Sequence, residues 1–313
     1  MKTLIGGVIQ NREAAVPGIA KFTEEACPAL GDAEVFVFEN NSNDRTAARL
    51  AQVAELDSRI NVRSEQWDLN AFRDEADGRT LENKPCRIEL IAEARNKLLE
   101  WMLAYCPEGD HRIVMIDWDF ASPPSVQKLA KWVREMPDEV DGIFANGIGS
   151  SGHYYDLYEL RTDRYPFGPE LAGNAFWNSR SRNRALRRRI KPDEAPFTVI
   201  SAFGGLGVYR ADSIRDCRYS AVPTAALHNF YTGELERRAN SREVRRLTKL
   251  ASKTHYEGAM LGCEWFSDGI FYRNNSGYAF PVCAEHVNLH MEMRARKRGN
   301  FLIAPDLIYQ SDH

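Results

Sequence analysis

The first part of the chain alternates short runs of β-forming residues with longer helical patterns, and this order constrains the fold most strongly. The predicted strands cover Thr3 to Ile9, Glu34 to Glu39 and Arg112 to Ile116, and the predicted helices cover Pro17 to Cys27, Thr46 to Leu56 and Arg87 to Tyr105. Strands separated by helices are typical of a parallel sheet with helical crossovers. We therefore predict an α/β fold with a mostly parallel central sheet flanked by helices.

Charge and composition narrow the class of protein. The formal net charge of -3 argues against a surface built to bind nucleic acid, so we expect no nucleic-acid partner. The apolar stretch at the N-terminus is too short for a signal peptide, and no later segment reaches the length of a membrane-spanning helix. The six cysteines show no C-x-x-C pair, which indicates reduced thiols. We expect a cytoplasmic protein.

Two carboxylates follow the predicted strand Arg112 to Ile116 directly. Asp117 and Asp119 are separated by one residue, Trp118. Open α/β sheets bind ligands beyond the carboxyl ends of their strands, and hard carboxylate oxygens are the ligands that Mg²⁺ and Mn²⁺ prefer. The pair also fits a purely structural role, because acidic residues often end a strand or cap the next helix. The pattern indicates a candidate cation site.

A strongly basic segment runs from Asn178 to Lys191 and contains six arginines and a lysine. One interpretation is a solvated surface face. The other interpretations are contact with an anionic substrate, with a lipid acceptor or with the surface of a membrane.

Two further motifs precede the acidic pair. The turn Glu39-Asn-Asn-Ser-Asn-Asp-Arg-Thr46 follows the second predicted strand, and Ala92-Glu-Ala-Arg-Asn96 lies on the helix before Asp117. The turn resembles the D-D-x-S-x-D-x-T element of GT-A glycosyltransferases, with Glu39 and Asn40 in place of the two leading acids. The A-R-N helix and the D-x-D strand follow in the same order as in that family.

Two later segments extend the resemblance. Tyr155 to Arg161 and Ser201 to Arg210 are similar to segments of capsule-associated mannosyltransferases and related polysaccharide-building enzymes. The resemblance implies a GT-A-like domain in two halves. Residues 1–120 would bind the nucleotide sugar, and residues 121–313 would form the catalytic and acceptor-binding half, with an irregular C-terminal acceptor region.

The resemblance also implies an activity. A metal-dependent glycosyltransferase would use Mn²⁺ or Mg²⁺ on Asp117 and Asp119 to neutralise the diphosphate of a UDP or GDP sugar. The acceptor would be a glycan or a lipid-linked glycan in polysaccharide biosynthesis, and the enzyme would work in the cytoplasm or at the membrane surface. Because Glu39 replaces the usual leading Asp, the choice between UDP and GDP stays open.

The candidate nucleotide-sugar ligands are Glu39, Asn40, Asp44, Arg95, Asp117, Trp118, Gly204 and Gly205. Arg95 would supply a fixed cation near the phosphates, although an ion pair with Glu93 on the helix surface is the alternative. The two glycines would let the backbone approach the sugar closely, and a β-bulge or tight strand crossing is their alternative role.

The C-terminal region supplies the candidates for catalysis. Glu285 is the first choice for the base that removes the proton of the acceptor hydroxyl, and Asp268 is the second. His286 or His290 would complete the metal shell, since imidazole is a common metal ligand. An acid acting as base indicates inversion at the anomeric carbon, whereas the mannosyltransferase resemblance indicates retention, so the stereochemistry stays open.

Two other functions remain as alternatives. A sugar-nucleotidyltransferase also uses Asp and a metal, but the stretch from Gly6 to Arg12 has no glycine after Gly7, where its phosphate loop needs a later one. A non-catalytic carbohydrate-binding module would use aromatic residues such as Trp118, Trp177 and Trp265 as stacking platforms, and it leaves the acidic pair without a role.

Overall fold

The structure is a computed structural model that describes residues 1–68, 87–106, 108–172, 188–251, 263–265, 272–274 and 283–312. In its first part, strands and helices alternate as the sequence predicts. The strands are β1 (Thr3–Ile9), β2 (Ala33–Asn40), β3 (Ile60–Glu65) and β4 (Arg112–Ile116). The helices are α1 (Val16–Leu30), which a 3-10 turn (Glu13–Ala15) precedes, α2 (Thr46–Leu56) and α3 (Arg87–Ala104). All six predicted elements are confirmed, and β3 is an addition.

Local chemistry explains the ends of α1. Pro17 lies in its first turn, where a backbone N–H has no helical partner and proline therefore costs nothing. Gly31 follows the helix with a φ of 87°, a left-handed angle that glycine adopts without steric cost, and its N–H donates to the carbonyl of Cys27.

The second part contains shorter elements. The strands are β5 (Phe120–Ser122), β6 (Gly142–Ile148), β7 (Phe197–Val199), β8 (Leu206–Arg210), β9 (Cys263–Trp265), β10 (Tyr272–Asn274) and β11 (Phe301–Ser311). The helices are α4 (Val126–Arg134), α5 (Pro169–Ala172), α6 (Ala211–Ile214), α7 (Ala225–Arg237), α8 (Arg242–Ala251) and α9 (Glu285–Ala295). Within the described part of the chain, β9 and β10 pair with each other and with no other strand.

The central sheet has the strand order β3-β2-β1-β4-β8-β6-β11-β5, and β7 pairs with the side of β11. The pairs β1 with β2, β1 with β4, β2 with β3, and β6 with β11 are parallel. β8 runs antiparallel between β4 and β6. The predicted α/β fold with helices around a central sheet is confirmed, and the sheet is more mixed than predicted.

Both faces of the sheet are covered. Alternate residues of a strand point to opposite faces, so Ile5 joins the apolar cluster beneath α1 and α4, whereas Leu4 joins the cluster beneath α3 and α9. A Cβ on Gly6 would lie 2.2 Å from the sulfur of Met102, so glycine lets α3 pack closely on β1. This packing fixes α3 beside the end of β4.

Two further findings concern the environment of the chain. Among the residues that the structure describes, none of the helices is both long and apolar enough to cross a membrane. Cys27, Cys106, Cys217 and Cys283 are buried free thiols.

Candidate active site

The predicted acidic pair lies at the carboxyl end of β4. All five residues of β4 are buried, and the backbone N–H of Asp117 donates to the carbonyl of Gly205 at 2.9 Å. Trp118 is only 2% exposed and packs edge-on against Phe22, at a ring-centroid distance of 6.1 Å. Trp118 is therefore mainly a core residue, although it borders the cleft that the two acids face.

Tyr309 on β11 contacts the turn from Asp117 to Asp119. Its hydroxyl lies 3.1 Å from both the backbone oxygen of Asp117 and Oδ1 of Asp119. A Cβ on Gly205 would lie 2.2 Å from the Tyr309 ring, and Gly205 has a φ of 83°. Glycine is therefore required here for close packing beneath the acids, and the predicted approach of the backbone to the sugar stays a prediction.

Arg95 joins three elements at the centre of the site. Its guanidinium on α3 donates to Oδ1 of Asp117 at 2.6 Å and to the carboxylate of Glu285, the first residue of α9. It also lies 5.1 Å from the centre of the Phe203 ring. The residue itself is 6% exposed. Three residues predicted from separate motifs therefore form one buried ion cluster, and Arg95 does not act as a surface partner of Glu93.

The cluster borders a cleft of about 640 Å³. Residues of α3 and the end of β1 form its apolar wall, and its charged lining consists of Arg12, Arg87, Arg95, Asp117, Asp119, Asp156, Glu159 and Glu285. Burial raises the pKa of Asp117, and the neighbouring charge of Asp119 raises it further against the opposing effect of Arg95. The charge on Asp117 therefore depends on its two neighbours Arg95 and Asp119.

Asp156 and Glu159 are cleft residues to which the sequence assigned no role. The backbone N–H of Gly204 donates to Oδ2 of Asp156 at 2.8 Å. Burial, with the charge of Asp117, raises the pKa of Asp156 to about 6. Glu159 is 7% exposed, and burial raises its pKa well above the usual range. The signal that could have found them is the segment Tyr155 to Arg161, which resembles the mannosyltransferases and carries both acids.

The two candidate metal histidines are buried on α9. Nδ1 of His290 lies 2.8 Å from the hydroxyl of Ser201, and Nε2 lies 2.9 Å from that of Tyr209. Both ring nitrogens are thus engaged, and burial lowers the pKa of His290 to about 3. The ring of His286 stacks on Phe203 at 3.8 Å, and burial lowers its pKa well below the usual value. Packing accounts for His290, and His286 lies behind Phe203.

A model of one protein family matches residues 2–252 of the chain, and its description is cryptococcal mannosyltransferase 1 (CAP59_mtransfer). The match spans most of the sequence. The chain belongs to this family. Membership confirms the resemblance to capsule-associated mannosyltransferases and, with it, the predicted class of glycosyltransferases. No curated protein sequence matches the chain.

Several solved structures are similar to the chain at low identity. The mannosyltransferase PcManGT from Pyrobaculum calidifontis, in complex with GDP-Man and Mn²⁺, is 11% identical over 99% of this chain and 56% of its own, with a TM-score of 0.46. Glucosyl-3-phosphoglycerate synthase from Mycobacterium tuberculosis is 12% identical over 99% and 69%, with a TM-score of 0.39. S. aureus TarS is 13% identical over 70% and 50%, with a TM-score of 0.38. The chain thus spans little more than half of the first of these structures.

In the present chain, the motif from Glu39 to Thr46 forms a hydrogen-bonded turn. Oδ1 of Asp44 accepts from the backbone N–H of Thr46 at 2.9 Å and from its hydroxyl at 2.5 Å, and these bonds lower the pKa of Asp44. Oε1 of Glu39 accepts from the N–H of Ser42 at 2.8 Å. Asn40 borders the cleft. The turn places Asn40 at the site, whereas the carboxylate of Asp44 accepts hydrogen bonds from Thr46, the first residue of α2.

Three features predicted from the sequence lie outside the described residues. They are Asp268, the second candidate base, Trp177, and positions 178–187 of the basic segment.

Proposed function

We propose that the protein is a metal-dependent glycosyltransferase that moves a sugar from a UDP or GDP donor to a glycan or lipid-linked acceptor. The observation that carries this proposal is the arrangement of Asp117 and Asp119 at the cleft, beside the buried guanidinium of Arg95. Family membership supports the reaction class. We also propose a role in polysaccharide biosynthesis, at the membrane surface or free in the cytoplasm.

The residues at the cleft fit a cation site that its substrate completes. In the part of the chain that the structure describes, no group of three His, Cys, Asp or Glu side chains lies close enough to hold a metal. Mg²⁺ and Mn²⁺ are often held by one or two carboxylates together with substrate phosphates and water. Asp117 and Asp119 would supply the carboxylates, and the bound cation would neutralise charge on the leaving diphosphate.

Arg95 would change partners when a donor binds. It now neutralises Asp117 and Glu285, and a cation on Asp117 would compete with it for that carboxylate. The guanidinium would then be available to a phosphate oxygen, for which its planar donors are well suited. Asn40 and the turn beside it lie at the same edge and would contact the base or ribose.

The identity of the base remains a proposal. Glu285 borders the cleft, but its carboxylate is paired with Arg95, so it would accept a proton only after that pair opens. Asp268 is the second candidate. Retention without a dedicated base is the third, and the product's anomeric configuration distinguishes it from the other two.

Calorimetry with GDP and with UDP tests the proposal. We expect one nucleotide to bind in the presence of Mn²⁺ and to lose at least about tenfold in affinity in EDTA, because its phosphates would face uncompensated carboxylates. Asp119→Asn should cause a similar loss, whereas Asp138→Asn, at a fully exposed position, should not. Equal affinity with and without Mn²⁺ would remove the cation from the account.

A further inference from the structure

The loop that carries Asp156 and Glu159 is anchored in the protein interior by the next residue but one, Arg161. Arg161 is fully buried, and its guanidinium lies 2.8 Å from both carboxylate oxygens of Glu170. The backbone of Arg161 exchanges hydrogen bonds with the Ile200–Ser201 segment, at 2.8 Å in each direction. This anchoring presents the two acids to the cleft on a fixed backbone, which lowers the entropic cost of recognising a ligand.

Asp156 is oriented by backbone donors. Its Oδ2 accepts from the N–H of Gly204 at 2.8 Å, and the N–H of Glu159 also donates to it. Gly204 has a φ of 64°, and a Cβ there would lie 2.5 Å from the carbonyl oxygen of Ala145. The donor is therefore fixed in place, and the Asp156 carboxylate borders the cleft in one orientation.

Glu159 carries an unsatisfied buried atom at the cleft. The residue is 7% exposed, and its Oε2 has no hydrogen-bond partner among the described residues. Such an atom costs stability, because it gives up its hydrogen bonds to water without gaining a partner in the protein. Residues that keep this cost at a binding cleft commonly recover it when a ligand supplies the missing partner.

The surrounding charges define the ligand. The guanidinium of Arg95 donates its hydrogen bonds to Asp117 and Glu285. Asp156 and Glu159 offer a phosphate no positive charge, so they do not complement one. A neutral ligand that both donates and accepts hydrogen bonds fits them, and a sugar ring with several hydroxyl groups has that chemistry.

We propose that Asp156 and Glu159 form a subsite that binds the hydroxyl groups of a sugar ring, so that the cleft separates sugar recognition from phosphate recognition. The inference rests on the proposed function. The sugar is either that of the nucleotide donor or that of the acceptor, and both present the same hydroxyl chemistry.

Calorimetry on Asp156→Asn and Glu159→Met, in Mn²⁺, tests the subsite. The probes are GDP and GDP-mannose, UDP and UDP-glucose, and methyl α-mannoside added after the nucleotide. In Asp156→Asn we expect the nucleoside diphosphate to bind within about twofold of wild type, while either the nucleotide sugar or the mannoside binds at least about tenfold more weakly. The first loss places the donor sugar at the subsite, and the second places the acceptor there.

Glu159→Met supplies a readout that a purely structural role would not give. It replaces an unsatisfied acid with an apolar side chain of similar length, so we expect an unchanged or higher unfolding temperature together with weaker sugar binding. Asp138→Asn, on the exposed surface, is the matched control and should bind every probe like wild type.

Two results would overturn the inference. One is sugar binding that is unchanged in both folded variants, and the other is an equal loss of nucleotide and nucleotide sugar. Failure of wild type to bind any nucleotide would instead refute the proposed function, and the subsite would fall with it.

Discussion

Replacement of Arg95 tests the electrostatic core of the site. Arg95→Met keeps a long side chain but removes the cation that holds Asp117 and Glu285, whose side chains are 28% and 8% exposed. Breaking a buried ion pair by removal of one partner typically costs about 3–5 kcal/mol, because the other charge stays buried without compensation. Glu285 is the more buried acid, so most of this cost should come from it.

Urea unfolding at pH 7 in EDTA, followed by tryptophan fluorescence, measures the effect. We expect Arg95→Met to lower the free energy of unfolding by about 3–5 kcal/mol. The double variant with Glu285→Gln should recover more than half of the loss, because the more deeply buried unpaired charge is then gone.

Arg218→Met is the matched control for this series. Arg218 pairs with Glu100, and both side chains are 63% exposed, so the change should stay within about 0.5 kcal/mol. A loss below about 1 kcal/mol in Arg95→Met, or a double variant no more stable than the single one, would refute the assignment of a strongly coupled buried cluster.

Three further predictions concern packing and pH. Gly205→Ala should lower the free energy of unfolding by about 1–3 kcal/mol in thermal unfolding, since the new Cβ would lie 2.2 Å from the Tyr309 ring. The control Gly233→Ala should not destabilise the protein, because Gly233 lies in a helix with open space around its Cβ position. Tyr309→Phe should weaken Mn²⁺-dependent nucleotide binding by about 10–100-fold in calorimetry, because it removes the hydroxyl that orients Asp119. The pKa of buried His290 is lowered to about 3, so below pH 6.5 the unfolded chain binds the extra proton and stability falls with pH; by pH 5 the share of this loss that comes from His290 should be about 2 kcal/mol, and His290→Gln should lose less stability between pH 7 and pH 5 in urea unfolding.

The parallel half of the fold could be predicted from the sequence because its apolar periodicity is strong. β4 is a run of five buried residues, and α3 carries apolar residues at helical spacing. β3 could not be predicted in this way, since Ile60 is the only one of its residues that is buried. β11 contains Pro305, and its register shifts between Ala304 and Ile308, so the sequence there does not read as one strand.

The candidate site could be predicted only in part. Asp117, Arg95 and Glu285 come from recognisable motifs, and the structure brings them into contact. The sequence could not show that Arg95 bridges both acids, because that contact joins residues 190 positions apart. Asp156 was not predicted, because its position depends on a backbone N–H of Gly204, and no side-chain pattern encodes such a bond.

Release of nucleotide diphosphate from a sugar donor tests the central claim most directly. Wild type would be incubated in Mn²⁺ with GDP-mannose, UDP-glucose or UDP-N-acetylglucosamine, beside the folded double variant Asp117→Asn/Asp119→Asn and the control Asp138→Asn. We expect wild type and the control to release GDP or UDP from at least one donor and the double variant to lose at least about 10²-fold in rate. Release from no donor by wild type, or equal release by the double variant, would contradict a glycosyltransferase that works through Asp117 and Asp119.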